Sequence, residues 1–404
     1  MSENKPVQLG LCCISLTLQK RKPPVIPHRS IKMATLKAKG VEFLKEKIKE
    51  NLKDQVKLLE WNEQMGIKVL RLHSEIMPHK GNSQVDDFNI DFSIPLLKEI
   101  GDTARKYNHR LTFHPGQYNV VGTPDPTKFK HTIRDLKYQC DLLDFMGMGV
   151  DSVVVIHGGG LYGDKESTIK RWCEQFQKLP TNVQSRLVIE NCEKSFSVLD
   201  CLQISKNVNI PVVFDTHHFD CYVKLHPKEE FKPPEEYMKD VLKTWKRRGI
   251  KPKFHVSEQD VDGIIGKHST YIETIPAYLL EIPDKYGVDI DIMIEAKRKE
   301  YAIFQLYHKY PHLNCKKNPD QMKTYQDVIL ADKKWLEREK KRECLKIEAL
   351  KTAKLKEKEE KRKAAKTEKL QKKSLKHKSS TVEKMSNTSF LKKSKKKSIK
   401  YMSK

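Results

Sequence analysis

From about residue 7 to residue 310 the chain repeats one pattern: a short, nearly unbroken apolar run, then a longer polar segment with apolar residues at helical spacing. The apolar runs predict strands at Val7–Ser15, Ile67–His73, Arg110–His114, Ser152–His157, Arg186–Asn191, Pro211–Thr216, Pro252–Val256 and Asp289–Glu295. Between them, helical spacing predicts helices over 51–65, 94–107, 127–146, 165–178, 234–248 and 270–282. In the first of these, Leu52, Val56, Leu58 and Leu59 fall at helix-like spacing with charges between them. Runs such as SVVVIH and PVVFDTHH lack polar alternation, as expected of parallel strands covered on both faces. Eight such units in about 300 residues fit an α/β (βα)₈ TIM barrel. A doubly wound open sheet is the alternative, but its usual glycine-rich turn after the first strand is missing from CCISLTL.

Charge divides the chain. Residues 331–404 hold 28 Lys and Arg against 10 Asp and Glu, so +18 of the total +25 lies there. The barrel is expected over 1–312, with a basic, partly helical or disordered tail over 313–404. Within the tail, 331–375 reads as a charged helix and 376–404 as low complexity, because the apolar positions (Trp335, Leu336, Leu345, Ile347, Leu350, Leu355) are sparse and fade out. So basic a balance favours a polyanionic partner and says nothing about fold. The nine cysteines are scattered and form no CxxC pair, which argues against a disulfide framework or a thiolate zinc site. MSENKPVQLG lacks the long apolar stretch of a signal peptide, and no run approaches the ~18 apolar residues of a membrane span. The expectation is an intracellular protein, nuclear where there is a nucleus, without a membrane partner and monomeric.

The chemistry lies at the predicted strand ends. Strand three ends at His114, strand four at His157, strand five at Glu190, and strand six at Asp215 with His217 and His218 following. Strand seven ends near His255 and strand eight at Glu295, and the loop between them carries His268. In a barrel these ends converge on the catalytic face. Any one of these residues alone is ordinarily structural, but Glu190, Asp215 and Glu295 packed together need cations. Mixed imidazole and carboxylate donors suit divalent metals. So many ligands imply two or three ions, and paired ions suit in-line displacement at phosphorus. HGGG (157–160) is either a phosphate cradle or a tight turn. Tyr118 either stacks on a base or caps the barrel. Lys297, Arg298 and Lys299 either bind phosphates or begin a helix, where an anion would have to compensate them.

These residues resemble the UV damage endonucleases, barrel relatives of endonuclease IV. The resemblance covers roughly residues 8–310 and rests on FHPGQY, VIHGGG, IEN with VVFDTHH 25 residues beyond Glu190, KFHVS with a second His 13 residues on, and IEAKRK. It implies three divalent ions, manganese first, with zinc or magnesium as alternatives. It also implies incision of damaged double-stranded DNA 5′ to the lesion, leaving 3′-hydroxyl and 5′-phosphate ends. By the same resemblance, His114, His157 and Glu190 would hold one ion, and Glu190 would bridge to a second held by Asp215, His255 and Glu295. His218 and His268 would serve a third. Glu190 and Lys253 would be the catalytic residues, Lys253 standing where the family can carry a carboxylated lysine. Gln117 and Tyr118 would probe the lesion, and Lys297 and Lys299 would contact DNA. The first strand departs from the pattern, with Leu11 and Ser15 in place of a tyrosine and an asparagine. Abasic-site cleavage of the endonuclease IV type, sugar isomerisation on the same fold, and non-enzymatic nucleic-acid binding are the competing readings.

Overall fold

The computed structural model describes the backbone of residues 5–82, 85, 88–316 and 319–398, with side chains after 316 described over 325–372 except 349, 353, 370 and 371. Eight parallel strands run β1 Val7–Cys12, β2 Val69–Arg71, β3 Arg110–Thr112, β4 Val154–His157, β5 Leu187–Glu190, β6 Val212–Asp215, β7 Lys253–Val256 and β8 Ile290–Ile294. They are ordered β3-β2-β1-β8-β7-β6-β5-β4. The two ends of that order meet at a parallel bridge between Phe113 and Val154, with Val155 N–H donating to Phe113 O at 2.9 Å. The sheet therefore closes into the expected (βα)₈ barrel, and every predicted strand contains one of the eight. Each is shorter than its apolar run. β1, for example, stops at Cys12 because Cys13 turns to φ 68.

The helices form where capping and apolar spacing agree. Asp125 caps Pro126–Phe145 by accepting from Thr127 and Lys128 N–H, and proline at its first position is preset for helix. Asp164 caps Lys165–Phe176, and Ser197 with Asp200 forms a capping box on Val198–Val208. The predicted 51–65 helix is the end of Met33–Gln64, which is interrupted at Gly40 (φ 77). The predicted 270–282 helix is a correction: helix begins only at Ala277. β-branched Thr270, Ile272, Thr274 and Ile275 lead into Pro276, and their backbone is used elsewhere. Arg298 N–H donates to Thr270 O, and Glu258 accepts from Glu273 and Thr274 N–H.

The barrel interior is not wholly apolar. Cys12, Val69 and Met293 pack together, and a Cβ at Gly10 would lie 2.8 Å from Met293 Cε. Toward the strand starts, buried Arg110 donates to Asp291 at 2.8 Å, and Lys253 Nζ to Thr112 Oγ1 at 2.7 Å.

Chain packing groups Met1–Leu330 into one compact unit and Ala331–Lys404 into another. The sequence-based boundary at 312 falls inside the first. Tyr325 stacks on Phe304 (centroids 4.4 Å) and donates its hydroxyl to Met65 O, fixing the residues beyond 312 to the barrel. The second unit is helical, within a helix spanning Pro319–Ser398, so the stretch expected to be low complexity is helical through 398. No helix among the described residues is long and apolar enough to cross a membrane.

Candidate metal centre

His157, Glu190 and Asp215 are the last residues of β4, β5 and β6. Parallel register sets His157 beside Glu190 and Asp215 beside His255. His114 lies just past β3, Glu295 just past β8, and His255 inside β7 next to its end. Asp215 also caps the helix Thr216–Leu225, its Oδ1 accepting from His218 N–H at 2.8 Å. One carboxylate thus ends a strand, starts a helix and fixes the backbone that presents His217 and His218.

Glu190 is the hub. Fully buried, it accepts from His114 Nε2 at 2.8 Å and His255 Nδ1 at 2.7 Å, with His157 Nε2 at 3.8 Å and His218 Nδ1 at 3.6 Å. Ligand atoms of His114, Glu190, His255 and Glu295 all lie within 4.8 Å of one another, and so do those of His157, Glu190 and His218. Glu190 belongs to both groups. The family resemblance implied pairing His114 with His157, and His218 with His268. His114 and His157, paired by the resemblance, both face Glu190 Oε2 with their rings 5.1 Å apart, while His255 and His218 face Oε1. His268 stands farther out, its Nδ1 at 3.8 Å from Glu295 Oε2. His217 contacts Cys221 Sγ at 3.6 Å and takes no place in either group.

Electrostatics explain why this cluster wants cations. Burial alone would raise Glu190, but the His255 and His157 imidazoles outweigh it and hold the carboxyl well below its usual range. Burial lifts Asp215 to about 7 against the pull of His218. Burial pushes His157 and His255 down to about 4, favouring the neutral imidazole that ligates metal. Among the buried polar atoms without a hydrogen-bond partner are Asp215 Oδ2 and His157 Nδ1 of this cluster. Unsatisfied buried donors and acceptors are costly, and a divalent ion would satisfy the first directly. The donor set of neutral imidazoles and carboxylates fits zinc, manganese or iron better than magnesium.

Sequence reasoning missed Arg71, the last residue of β2. Its Nη2 contacts Glu295 Oε1 and lies 3.4 Å from His255 Nε2, so a guanidinium sits among the candidate ligand atoms. An arginine in a basic chain carries no distinguishing sequence signal; only barrel closure reveals it. Lys253 lies two residues before His255 on the same inward side of β7. Burial, with Arg71 and Arg110 nearby, lowers it to about 7, so a neutral amine is accessible near physiological pH.

Around the rim, Tyr118 is 72% exposed and Gln117 is exposed beside it. Tyr118 borders a cavity of about 390 Å³ lined also by Glu75, His79, His131, Asp135 and Tyr138. In HGGG, Gly159 has φ 96, and a Cβ there would fall 2.4 Å from Val120 Cγ1, which requires glycine for the tight turn. Lys297 pairs with Asp260 at 2.5 Å, and Arg298 lies over the Tyr301 ring. Lys299 precedes the helix Glu300–Lys309, whose first residue, Glu300, accepts from Leu16 N–H and from Ser15 Oγ. Asp260, paired with Lys297, supplies a compensating anion at this cationic helix start.

Residues 7–323 match the profile of the family described as UV-endonuclease UvdE. A putative UV-damage endonuclease of Acanthamoeba polyphaga mimivirus is 35% identical over 308 residues, covering 75% of this chain and 91% of that protein. The UV-damage endonuclease of Schizosaccharomyces pombe is 34% identical over 320 residues, covering 76% of this chain and 52% of that longer protein. Among solved structures, the crystal structure of SacUVDE shares 30% identity at a TM-score of 0.66, covering 77% of this chain and all of that one.

Proposed function

From the chain's membership of the UV-endonuclease UvdE family, we propose that it is a metal-dependent DNA repair endonuclease. It would hydrolyse the phosphodiester immediately 5′ to UV photoproducts, and to abasic sites as a second substrate, leaving 3′-hydroxyl and 5′-phosphate ends. The observation that carries the reading is Glu190. One buried carboxylate is shared by two groups of ligand atoms at the mouth of a barrel whose relatives are named as UV-damage endonucleases.

His114, His255 and Glu295 would complete one ion's ligands with Glu190, and His157 and His218 another's. Asp215 Oδ2 and His268 are the candidates for a third ion or for the remaining positions. Divalent ions held there, manganese first, would supply Lewis acidity to a phosphodiester. The chain's own part is geometric and electrostatic. Asp215 holds the His218 backbone through the helix cap. Burial keeps His157 and His255 neutral, and Arg71 balances Glu295. Lys253, lowered to about 7 by burial, can hold or release a proton at Nζ beneath the site, or carry the carboxylation the family allows. Tyr118, whose hydroxyl donates to Asp135, and Gln117 are exposed and would enter a duplex distorted by damage, while Lys297, now paired with Asp260, and Lys299 would meet phosphates.

Abasic-site cleavage as the main activity is the second reading, since the same site could serve it. Nicking of UV-irradiated, abasic and undamaged duplexes of one sequence, with manganese added to chelator-stripped protein, separates the readings. The account expects irradiated DNA to be cut fastest and undamaged DNA to survive. Preference for abasic over irradiated DNA would favour the second reading, and no cutting of either would refute both.

A further inference from the structure

The positive charge of the second unit is not evenly spread. Residues 331–360 carry 11 Lys and Arg against 8 Asp and Glu, close to balance. Residues 361–404 carry 17 against 2. The first part can pair its own charges, as Arg342 does with Glu339 at 2.6 Å. Beyond 360 the acids run out. Lys361 pairs back to Glu357 and Lys372 to Glu368, each at 2.5 Å. Arg362, Lys363, Lys366 and Lys369 are exposed and make no ion pair among the described residues.

A helix that is polar all round and carries like charges at successive turns repels itself, so helix over this stretch calls for a compensating anion. An anionic membrane would be met by an apolar stripe opposite the lysines. Leu375, Val382, Met385 and Phe390 would fall on one side of a helix, but Lys372, Lys378, Lys393, Lys396 and Lys397 fall on that same side, so no continuous apolar stripe is encoded. A regularly spaced polyanion fits better. At ~1.5 Å per residue, 361–398 extends about 57 Å, longer than the ~34 Å turn of a duplex, so it can meet backbone phosphates on successive turns.

We propose that residues 361–398 form a phosphate-binding arm that holds undamaged duplex DNA without regard to sequence, while the near-neutral residues 331–360 act as its spacer. The arm concentrates the chain on DNA so that the site finds rare lesions from a bound state. Only that purpose rests on the proposed endonuclease function; the binding itself does not.

The test uses the full chain with Lys363, Lys366, Lys369, Lys373, Lys376 and Lys378 all changed to glutamine, which keeps helix propensity and removes charge. Affinity for an undamaged 40-base-pair duplex is measured against salt, with no cleavage readout, so an inactive site and an absent arm give different results. Each engaged lysine contributes ~0.9 to the slope of log affinity against log salt, so the six-fold variant should lose about 5 units. Between 50 and 200 mM salt that is roughly a 10³-fold difference in how far affinity falls. The same six positions changed to arginine should keep the wild-type slope. A glutamine variant whose slope stays within about one unit of wild type overturns the proposal. So does binding to anionic vesicles that falls with the glutamines while the DNA slope does not.

Discussion

Replacing Glu190 with glutamine changes one oxygen to an amide nitrogen and removes one buried negative charge. Glu190 accepts hydrogen bonds from His114 at 2.8 Å and His255 at 2.7 Å. Glutamine can accept with one oxygen only, and one imidazole must switch tautomer to face its NH₂. The lost charge-assisted bond costs about 1.5–3 kcal/mol, partly offset because a buried charge is no longer desolvated. The larger effect falls on metal binding. Removing a group that only orients a ligand weakens metal affinity 10–100-fold. Losing a ligand shared by two groups should therefore cost at least about 100-fold in each. At a fixed excess of metal, a 100-fold weaker site gives up about 2.7 kcal/mol of metal-induced stabilisation. For a barrel of this size the gain in Tm on adding manganese should shrink by about 4 °C per site. The assay combines calorimetry with and without manganese, metal content after dialysis, and single-turnover nicking of irradiated duplex. Equal metal content, an equal rise in Tm and equal nicking in a folded Glu190→Gln protein would refute the bridging role.

Three further outcomes are expected. Arg71→Met should destabilise the metal-free protein by about 2–4 kcal/mol, because Glu295 loses its buried partner, but the metal-loaded protein far less; equal losses by calorimetry in both states would contradict the charge-balancing role. Tyr118→Ala should weaken capture of damaged duplex by about 1–3 kcal/mol with metal content unchanged, since the ring is largely exposed; loss of metal instead would make it part of the site's support. Burial would raise Glu63, but His109, Lys316 and Lys68 outweigh it and hold the carboxyl well below its ordinary value. Its stabilisation is therefore present above about pH 4.5 and fades as pH falls toward the depressed folded value. Glu63→Gln should cost about 1–2 kcal/mol at pH 7, allowing for solvent screening, and the gap should narrow below pH 4 in denaturant titrations; a gap that widens on acidification would show the sign to be wrong.

Strand-end chemistry was legible in the sequence because period and position coincide there. His157, Glu190 and Asp215 each close an apolar run, and a closed parallel barrel carries such ends to one rim. Which ligands meet was not legible. Register fixes neighbours along adjacent strands, but His114 and His255 meet Glu190 across the barrel mouth, and that depends on closure. Arg71 escaped for the same reason. The misplaced helix over 270–282 shows apolar spacing losing to β-branched residues and to backbone groups committed to Glu258 and Arg298. The tail's composition predicted its charge and part of its helix, whereas Tyr325 packing on Phe304 moves the edge of the barrel unit beyond where composition alone had put it.

The central claim is that the cluster around Glu190 hydrolyses DNA at damage. A duplex with one UV photoproduct at a known position, labelled in turn at each end of the damaged strand, tests it directly. Chelator-stripped protein should leave that strand intact, and added manganese should restore a single cut immediately 5′ of the photoproduct, with a 3′-hydroxyl that a polymerase extends and a 5′-phosphate that resists a kinase. Cutting that needs no metal, a cut 3′ of the lesion, or blocked 3′ ends would contradict the account.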